Sequence, residues 1–170
     1  SLAVQADITR KTDVDNLVKR AMGEFGVIDI LVNNAVVMVR KPLLEYSEDE
    51  WDMVIDTDLK GYYLCCQAVG KVMVAQRRGS IINVSSVGAV KATPTKGAYH
   101  VAKAGVSMLT RVLALELASY NIRVNAIAPG GVKTEMNRWQ WGDPETLKKH
   151  VATIPMRRMA ETSEMVGGIL

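Results

Sequence analysis

The stretch that decides the fold is Gly97-Ala98-Tyr99-His100-Val101-Ala102-Lys103, which opens an apolar segment that continues to Leu117. Apolar residues recur there at helical spacing; they are Val101, Val106, Leu109, Val112, Leu113 and Leu117. This spacing predicts a helix over 97–117. Tyr99 and Lys103 are four residues apart, so the helix presents both side chains on one face, about one turn apart.

The pairing of Tyr99 with Lys103 is suited to proton transfer. A free phenol has a pKa near ~10, and an ammonium held beside it favours the phenolate and lowers that pKa. We therefore expect Tyr99 to have a lowered pKa and to act as a general acid and base near neutral pH. A solvated tyrosine and lysine on a long helix would show the same spacing, so the pair alone leaves both interpretations open.

Short apolar segments on either side of this helix have the character of buried strands. The segment from Gly79 runs into Ser85-Ser86, and Ile122–Ile127 runs into a loop that contains Pro129. Two more strands are predicted earlier in the chain, at Leu2–Gln5 and Ile28–Val32. Open parallel sheets bind ligands at the carboxyl ends of their strands, which is where the two serines fall.

Helical segments lie between these strands. A stripe from Val14 to Phe25 predicts one helix, and Ser47-Glu48-Asp49-Glu50 resembles a capping box that opens a longer one over about 49–76. Asp58 falls on the apolar stripe of that helix, which is unusual for a carboxylate. Strands that alternate with helices predict an α/β fold, a Rossmann-like doubly wound parallel sheet with helices on both faces.

Composition excludes several classes of protein. The chain is 48% hydrophobic and 23% charged, which is typical of a globular domain, and it has no apolar run near the ~20 residues of a membrane span. Its net charge of +3 is spread along the sequence, so neither a nucleic-acid partner nor a membrane partner is expected. Cys65 and Cys66 have neither disulfide nor metal-ligand spacing, and we expect buried thiols in a reducing compartment, the cytoplasm.

The order and spacing of the motifs resemble the short-chain dehydrogenase/reductase family of the classical type, over essentially all of residues 1–170. The matching motifs are Asp7-Ile8, Asn33-Asn34-Ala35, Ser85-Ser86, Tyr99 with Lys103, and Pro129-Gly130 with Thr134.

The resemblance implies reversible hydride transfer between NAD or NADP and a carbonyl or secondary alcohol. It implies that Ser86, Tyr99 and Lys103 are catalytic, with Asp58 at the position of a fourth catalytic member, and that Ser85 is structural. It also implies a set of cofactor-binding residues and no metal site. The cofactor-binding set is Asp7, Ile8, Asn34, Ala35, Tyr99, Lys103, Pro129, Gly130, Val132 and Thr134. The residues alone favour turn formers for Asn33 and Asn34, and it is the resemblance that favours Asn34 as a cofactor ligand.

The chain departs from the family pattern at two positions. Val36 replaces a glycine, which adds bulk where backbone and cofactor come close. Asp58 replaces an asparagine and brings a negative charge towards Lys103 and Tyr99, which is expected to pull the pKa of Tyr99 back towards its ordinary value. Residues 134–159 cover the substrate in the family; a surface excursion that packs its tryptophans on the core is equally consistent with the residues.

The family's sheet begins with a glycine-rich turn that this sequence lacks, and it ends with a strand beyond Leu170. We therefore expect residues 1–170 to be a single domain of this type, incomplete at both ends, and part of a longer chain. A truncated protein with a covered sheet edge is the alternative. The helices from Asp49 and Gly97 resemble the family's dimer helices, so a homodimer or homotetramer is expected. The competing function is a self-associating interaction module without catalysis.

Overall fold

The computed structural model describes residues 1–169, and the chain forms two compact units. The first is Ser1–Ala128, and the second begins at Pro129. The elements of the first unit are α1 (Lys11–Phe25), β1 (Ile30–Asn33), α2 (Glu48–Ile55), a π-helical turn (Asp56–Lys60), α3 (Gly61–Gln76), β2 (Gly79–Val84), α4 (Gly97–Leu117) and β3 (Ile122–Ile127).

The three strands form one parallel sheet in the order β1-β2-β3. Asn33 pairs with Asn83, and Val84 pairs with Ile127, so all three strands end at the same edge. This parallel sheet with its helices confirms the predicted Rossmann-like α/β fold class in partial form; α1, α3 and α4 lie on one face of the three strands, whereas helices were expected on both faces. The helix over 97–117 and the strand over 122–127 are confirmed residue for residue.

Helices α1, α3 and α4 pack on one face of the sheet. Val69 and Met73 of α3 lie against Ile81 and Val124 in a buried cluster. On the opposite face, Ile30 and Val32 of β1 are exposed. Cys65 and Cys66 are buried free thiols, as predicted, and burial raises the pKa of Cys66 to about 12.

The predicted strand at Leu2–Gln5 is wrong, because these residues have no strand partner. Their burial still alternates: Leu2 and Val4 are half-buried while Ala3 and Gln5 are exposed. The segment therefore has the two-residue period of a strand but lacks the hydrogen bonds of a ladder, and a ladder depends on a neighbouring strand.

The long helix predicted over 49–76 is one helical run with a π-turn at Asp56–Lys60. The predicted capping box is confirmed: the Ser47 hydroxyl accepts from Glu50 N–H, and the Glu50 carboxylate accepts from Ser47 N–H. π-Turns inside α-helices often occur at functional sites. This one contains the buried Asp58.

The second unit contains two short helices, α5 (Arg138–Trp141) and α6 (Pro144–Val151). The expected helix after Ala160 is a 3-10 segment, Thr162–Gly168. Val132 pairs with Ala160 in an isolated parallel bridge, and the neighbouring Met159 is buried. Within residues 1–169, none of the helices is both long and apolar enough to span a bilayer.

Candidate active site

A buried polar chain fixes the strand ends that carry the candidate site. Asn33 Nδ2 donates to Asn83 Oδ1 at 2.8 Å, and Asn83 Nδ2 donates to Thr110 Oγ1 at 2.9 Å. All three residues are buried, so these amides need the hydrogen bonds that they make. These hydrogen bonds tie β1 and β2 to α4 next to residues 34–35 and 85–86. Sequence reasoning missed Asn83 and Thr110, although an asparagine inside an apolar strand was a usable signal.

The two serines after β2 have different environments. Ser85 Oγ lies 3.0 Å from the carbonyl oxygen of Lys103, to which it donates, and 2.8 Å from Ser107 Oγ. These bonds attach the end of β2 to α4 and agree with the structural role predicted for Ser85. Ser86 instead accepts from Gly88 N–H at 3.0 Å, and its side chain favours a lower pKa of the Tyr99 phenol.

The pKa of Tyr99 differs from the sequence prediction. It is raised and not lowered, because burial of the phenol outweighs the lowering effect of Ser86, and the charge of Asp58 adds to the increase. The Lys103 ammonium lies 5.8 Å from the centre of the Tyr99 ring. The expected lowering by Lys103 is therefore absent in this arrangement, whereas the expected effect of Asp58 on the phenol is present.

Lys103 is almost completely buried, with 2% of its side chain exposed. Its Nζ donates to the carbonyl oxygen of Val84 at 3.0 Å and to the Tyr62 hydroxyl at 3.3 Å, and it lies 3.8 Å from Asp58 Oδ2. Burial lowers the pKa of Lys103, and the charge of Asp58 opposes that shift. The ammonium is thus held by groups on β2, α3 and the π-turn.

Asp58 links the loop after β1 to Lys103. Its Oδ1 accepts from Val37 N–H at 2.8 Å, while Oδ2 faces the Lys103 ammonium and has no hydrogen-bond partner within the described chain. Burial raises the pKa of Asp58 to about 6, against the lowering effects of Val37 and Lys103. The neighbouring Val36 is not among the described residues with positive φ, so its backbone carries no strain of the kind that requires glycine.

Tyr62 is a further residue at this site that the sequence did not single out. Its side chain is fully buried, its ring centre is 4.7 Å from Lys103 Nζ, and its hydroxyl donates to Val84 O at 3.4 Å. In the sequence, Tyr62 follows the apolar spacing of the long helix and has the pattern of an ordinary core residue. Its spacing of four residues from Asp58 was the available signal.

The predicted cofactor-binding residues of the first unit differ in their exposure to solvent. Asp7, Asn34 and Ala35 are exposed, and the carboxylate of Asp7 accepts from Thr9 N–H at 2.9 Å, which lowers the pKa of Asp7. Ile8 is half-buried, and its Cδ1 would lie 2.7 Å from a Cβ built on Gly61. Ile8 therefore packs against the start of α3.

The remaining predicted cofactor residues belong to the second unit. Pro129 and Val132 are half-buried, whereas Gly130 and Thr134 are exposed. Thr134 caps a short 3-10 turn with Asn137, and its carbonyl oxygen accepts from Trp141 Nε1 at 3.0 Å. The segment is thus locally ordered by its own hydrogen bonds.

Comparisons with known proteins agree with this arrangement. A family model described as Enoyl-(Acyl carrier protein) reductase matches residues 1–170. The 3-oxoacyl-[acyl-carrier-protein] reductase of Synechocystis sp. is 38% identical over 169 residues, which are 99% of this chain and 66% of that protein.

Solved structures give the same result at the level of the fold. A gluconate 5-dehydrogenase from Burkholderia cenocepacia, in complex with NADP and tartrate, superimposes with a TM-score of 0.92 at 33% identity, over 96% of this chain and 64% of that one. An NAD+-bound xylitol dehydrogenase gives a TM-score of 0.91 at 31% identity, over 96% of this chain and 69% of that one. The chain therefore spans about two thirds of the length of these relatives.

The fold and these comparisons define a Rossmann-like α/β protein that is similar in structure to dehydrogenases solved with NADP or NAD+ bound. The chain belongs to the short-chain dehydrogenase/reductase family.

Proposed function

We propose that this protein transfers a hydride between NAD or NADP and a small carbonyl or secondary-alcohol substrate, with Tyr99 as the general acid and base. The observation that supports the proposal most directly is the grouping of Tyr99 with the buried Lys103, whose Nζ lies 5.8 Å from the centre of the Tyr99 ring, and with Ser86 after β2, whose hydroxyl opposes the raised pKa of the phenol. A hydroxyl, a phenol and an ammonium can together bind and protonate a substrate oxygen.

The residues present fit a bound nicotinamide nucleotide at this edge. Asn34 and Ala35 follow β1 at this edge and are exposed, Asp7 is exposed as well, and Lys103 would supply a cation for the ribose hydroxyls. Asp7 and Ile8 are proposed to contact the adenine end. The nicotinamide end is assigned, from the family resemblance, to Pro129, Gly130, Val132 and Thr134. The nucleotide would supply or accept the hydride, which is chemistry that no side chain of this protein can perform.

The proton moves through Tyr99. During reduction, the phenol gives its proton to the carbonyl oxygen while the carbonyl carbon receives the hydride, and the Ser86 hydroxyl donates a hydrogen bond to that oxygen. Because the pKa of Tyr99 is raised, the phenol is protonated at neutral pH and ready to act as an acid. We therefore expect reduction to be favoured near neutral pH and alcohol oxidation to need alkaline conditions.

Replacement of the phenol tests this proposal. Tyr99→Phe removes only the oxygen that carries the proton, and loss of general acid–base catalysis should slow hydride transfer by roughly 10²- to 10⁴-fold. Nucleotide absorbance at saturating substrate measures the rate. Tyr63→Phe is the matched control, because Tyr63 is exposed on α3. A rate of hydride transfer in Tyr99→Phe within a few-fold of that of the unmodified protein would rule out the assigned role.

The alternative function, a self-associating module without catalysis, is favoured by the outer face of α4. Exposed apolar side chains recur there at successive spacings of seven, four and three residues, and Leu115 is 82% exposed; the set is Val101, Met108, Val112 and Leu115. A stripe with this spacing suits packing against a second helix. Self-association as a dimer or tetramer is expected under both functions, in the cytoplasm, where Cys65 and Cys66 stay reduced.

Light scattering distinguishes these possibilities when it is combined with the rate measurement. Leu115→Glu should lower the average mass, whereas Leu44→Glu, which changes a fully exposed apolar residue outside α4, should not. Unchanged mass in Leu115→Glu would contradict the assignment of this face. Association without hydride transfer for a panel of carbonyl substrates and both nucleotides would favour the non-catalytic module.

A further inference from the structure

The ammonium of Lys103 faces three acceptors inside the protein. Val84 O lies 3.0 Å from Nζ, the Tyr62 hydroxyl 3.3 Å, and Asp58 Oδ2 3.8 Å. A lysine ammonium has three N–H donors; two of them are used by Val84 O and the Tyr62 hydroxyl, and Asp58 Oδ2 adds an ion pair. The Tyr99 ring centre lies farther away, at 5.8 Å. These three polar partners of Lys103 therefore lie on the inner side of α4, and the Tyr99 ring lies near the outer limit of cation–π distance.

Tyr62 is the neutral member of this set. Its hydroxyl accepts from Lys103 Nζ and donates to Val84 O, the same carbonyl that Lys103 contacts, so both partners fix the orientation of the phenol. Its ring also lies 4.7 Å from Nζ, within the range of a cation–π contact. Burial raises the pKa of Tyr62, so the group stays protonated; because its side chain is fully buried and its proton is donated to Val84 O, Tyr62 does not take the place of Tyr99 as the acid.

The packing of the π-turn places Tyr62 within reach of Lys103. Gly105 lies two residues beyond Lys103, and a Cβ built there would come within 2.8 Å of a Leu59 methyl group, so α4 and the π-turn are in close contact. Asp58 and Tyr62 are four residues apart and project from the same side of the helical run towards Lys103. The contact between Tyr62 and Lys103 therefore lies within the packed core of the first unit.

We infer that Tyr62 is a positioning residue that holds the Lys103 ammonium in the inner position, against Val84 and Asp58. The inference rests on the proposed function, because it assigns to Lys103 a second, outer position from which it acts on Tyr99 and the nucleotide. Tyr62 then opposes that outward movement.

Amine labelling of the full chain tests the position of Lys103 without any need for activity. Acetylation by an activated ester requires a neutral, accessible amine, and mass spectrometry of the peptide gives the rate at Lys103 relative to the exposed Lys60. Tyr62→Phe removes one hydrogen bond, and both release of Lys103 and a lower Lys103 pKa would speed the labelling, by roughly two- to tenfold. The control Tyr63→Phe should leave the rate unchanged. An unchanged rate in Tyr62→Phe would overturn the inference.

Thiol labelling of Cys65 and Cys66 in the same samples separates local release from unfolding. Both thiols are buried in α3, so they report a general opening of the core. Faster labelling of Lys103 with unchanged thiol labelling supports the inference, and a parallel increase at the cysteines contradicts it.

The pH profile of hydride transfer provides a readout that a merely structural role would not move. A Lys103 released towards Tyr99 favours the phenolate, so the profile of Tyr62→Phe should move to lower pH. A superimposable or upward-shifted profile would oppose the inference. If Tyr99→Phe retained activity, the proposed function would fail while the labelling result still decided where Lys103 lies.

Discussion

Asp58→Asn is the substitution with the clearest electrostatic consequence in this protein. It replaces a fully buried carboxylate, 3.8 Å from the Lys103 ammonium, by a neutral amide of nearly the same size. The amide oxygen can still accept from Val37 N–H, so the loop after β1 keeps its anchor. The main change is the loss of one negative charge beside Lys103 and Tyr99.

The structure bounds the size of this effect. Nζ of Lys103 is 3.8 Å from Asp58 Oδ2 and 5.8 Å from the Tyr99 ring centre, so Oδ2 lies within about 10 Å of the phenol. At that separation and an effective dielectric constant of about 20 to 40, one charge is worth about 1 kcal/mol, or roughly 0.5 to 1 pKa unit. Because the charge of Asp58 raises the pKa of Tyr99, its removal should lower that pKa by this amount.

A pH–rate profile of alcohol oxidation measures the shift in the active protein. We expect the part of the profile that reports the ionisation of Tyr99 to move to lower pH by roughly 0.5 to 1 pH unit in Asp58→Asn. Turnover at pH values below the optimum should then be faster. Asp56→Asn is the matched control, because Asp56 lies two residues earlier and pairs with the exposed Lys60. Superimposable profiles would mean that Asp58 is electrostatically silent, and an upward shift would mean that its charge assists the phenol.

Two further predictions concern stability. The folded-state pKa of Asp58, about 6, exceeds its ordinary value of 3.8. The folded protein is therefore most stable at low pH with respect to this group, and it loses stability as pH rises from about 4 through about 6. The loss amounts to up to about 3 kcal/mol. Urea unfolding at several pH values should show this loss of stability in the unmodified protein but not in Asp58→Asn. The same pH dependence of the unfolding free energy in both proteins would contradict the prediction. Thr110→Val leaves the buried Asn83 amide without its acceptor and should cost about 1 to 3 kcal/mol in the same assay. Thr110→Ser retains the hydroxyl, and an equal loss in both variants would show that the hydrogen bond is not the cause.

The sequence by itself determined the elements whose signals are local. The apolar spacing after Gly97 and the β-branched run from Ile122 predicted their bounds, because a helix or a buried strand within a continuous sheet shows its period along the chain. The sequence also determined that Ser86, Tyr99 and Lys103 share one edge of the sheet. Parallel strands end together, and a helix brings residues four apart onto one face.

Only the tertiary structure decided the electrostatics of the site. The sequence predicted a lowered pKa for Tyr99, and burial reversed that direction because it disfavours the phenolate more than Ser86 stabilises it. The contact between Tyr62 and Lys103 depends on the π-turn and on the close approach of Leu59 to Gly105, neither of which has a sequence period. The failed strand at Leu2–Gln5 has the same physical reason: whether a segment completes a ladder, or a charge finds its partner, depends on groups distant in the chain.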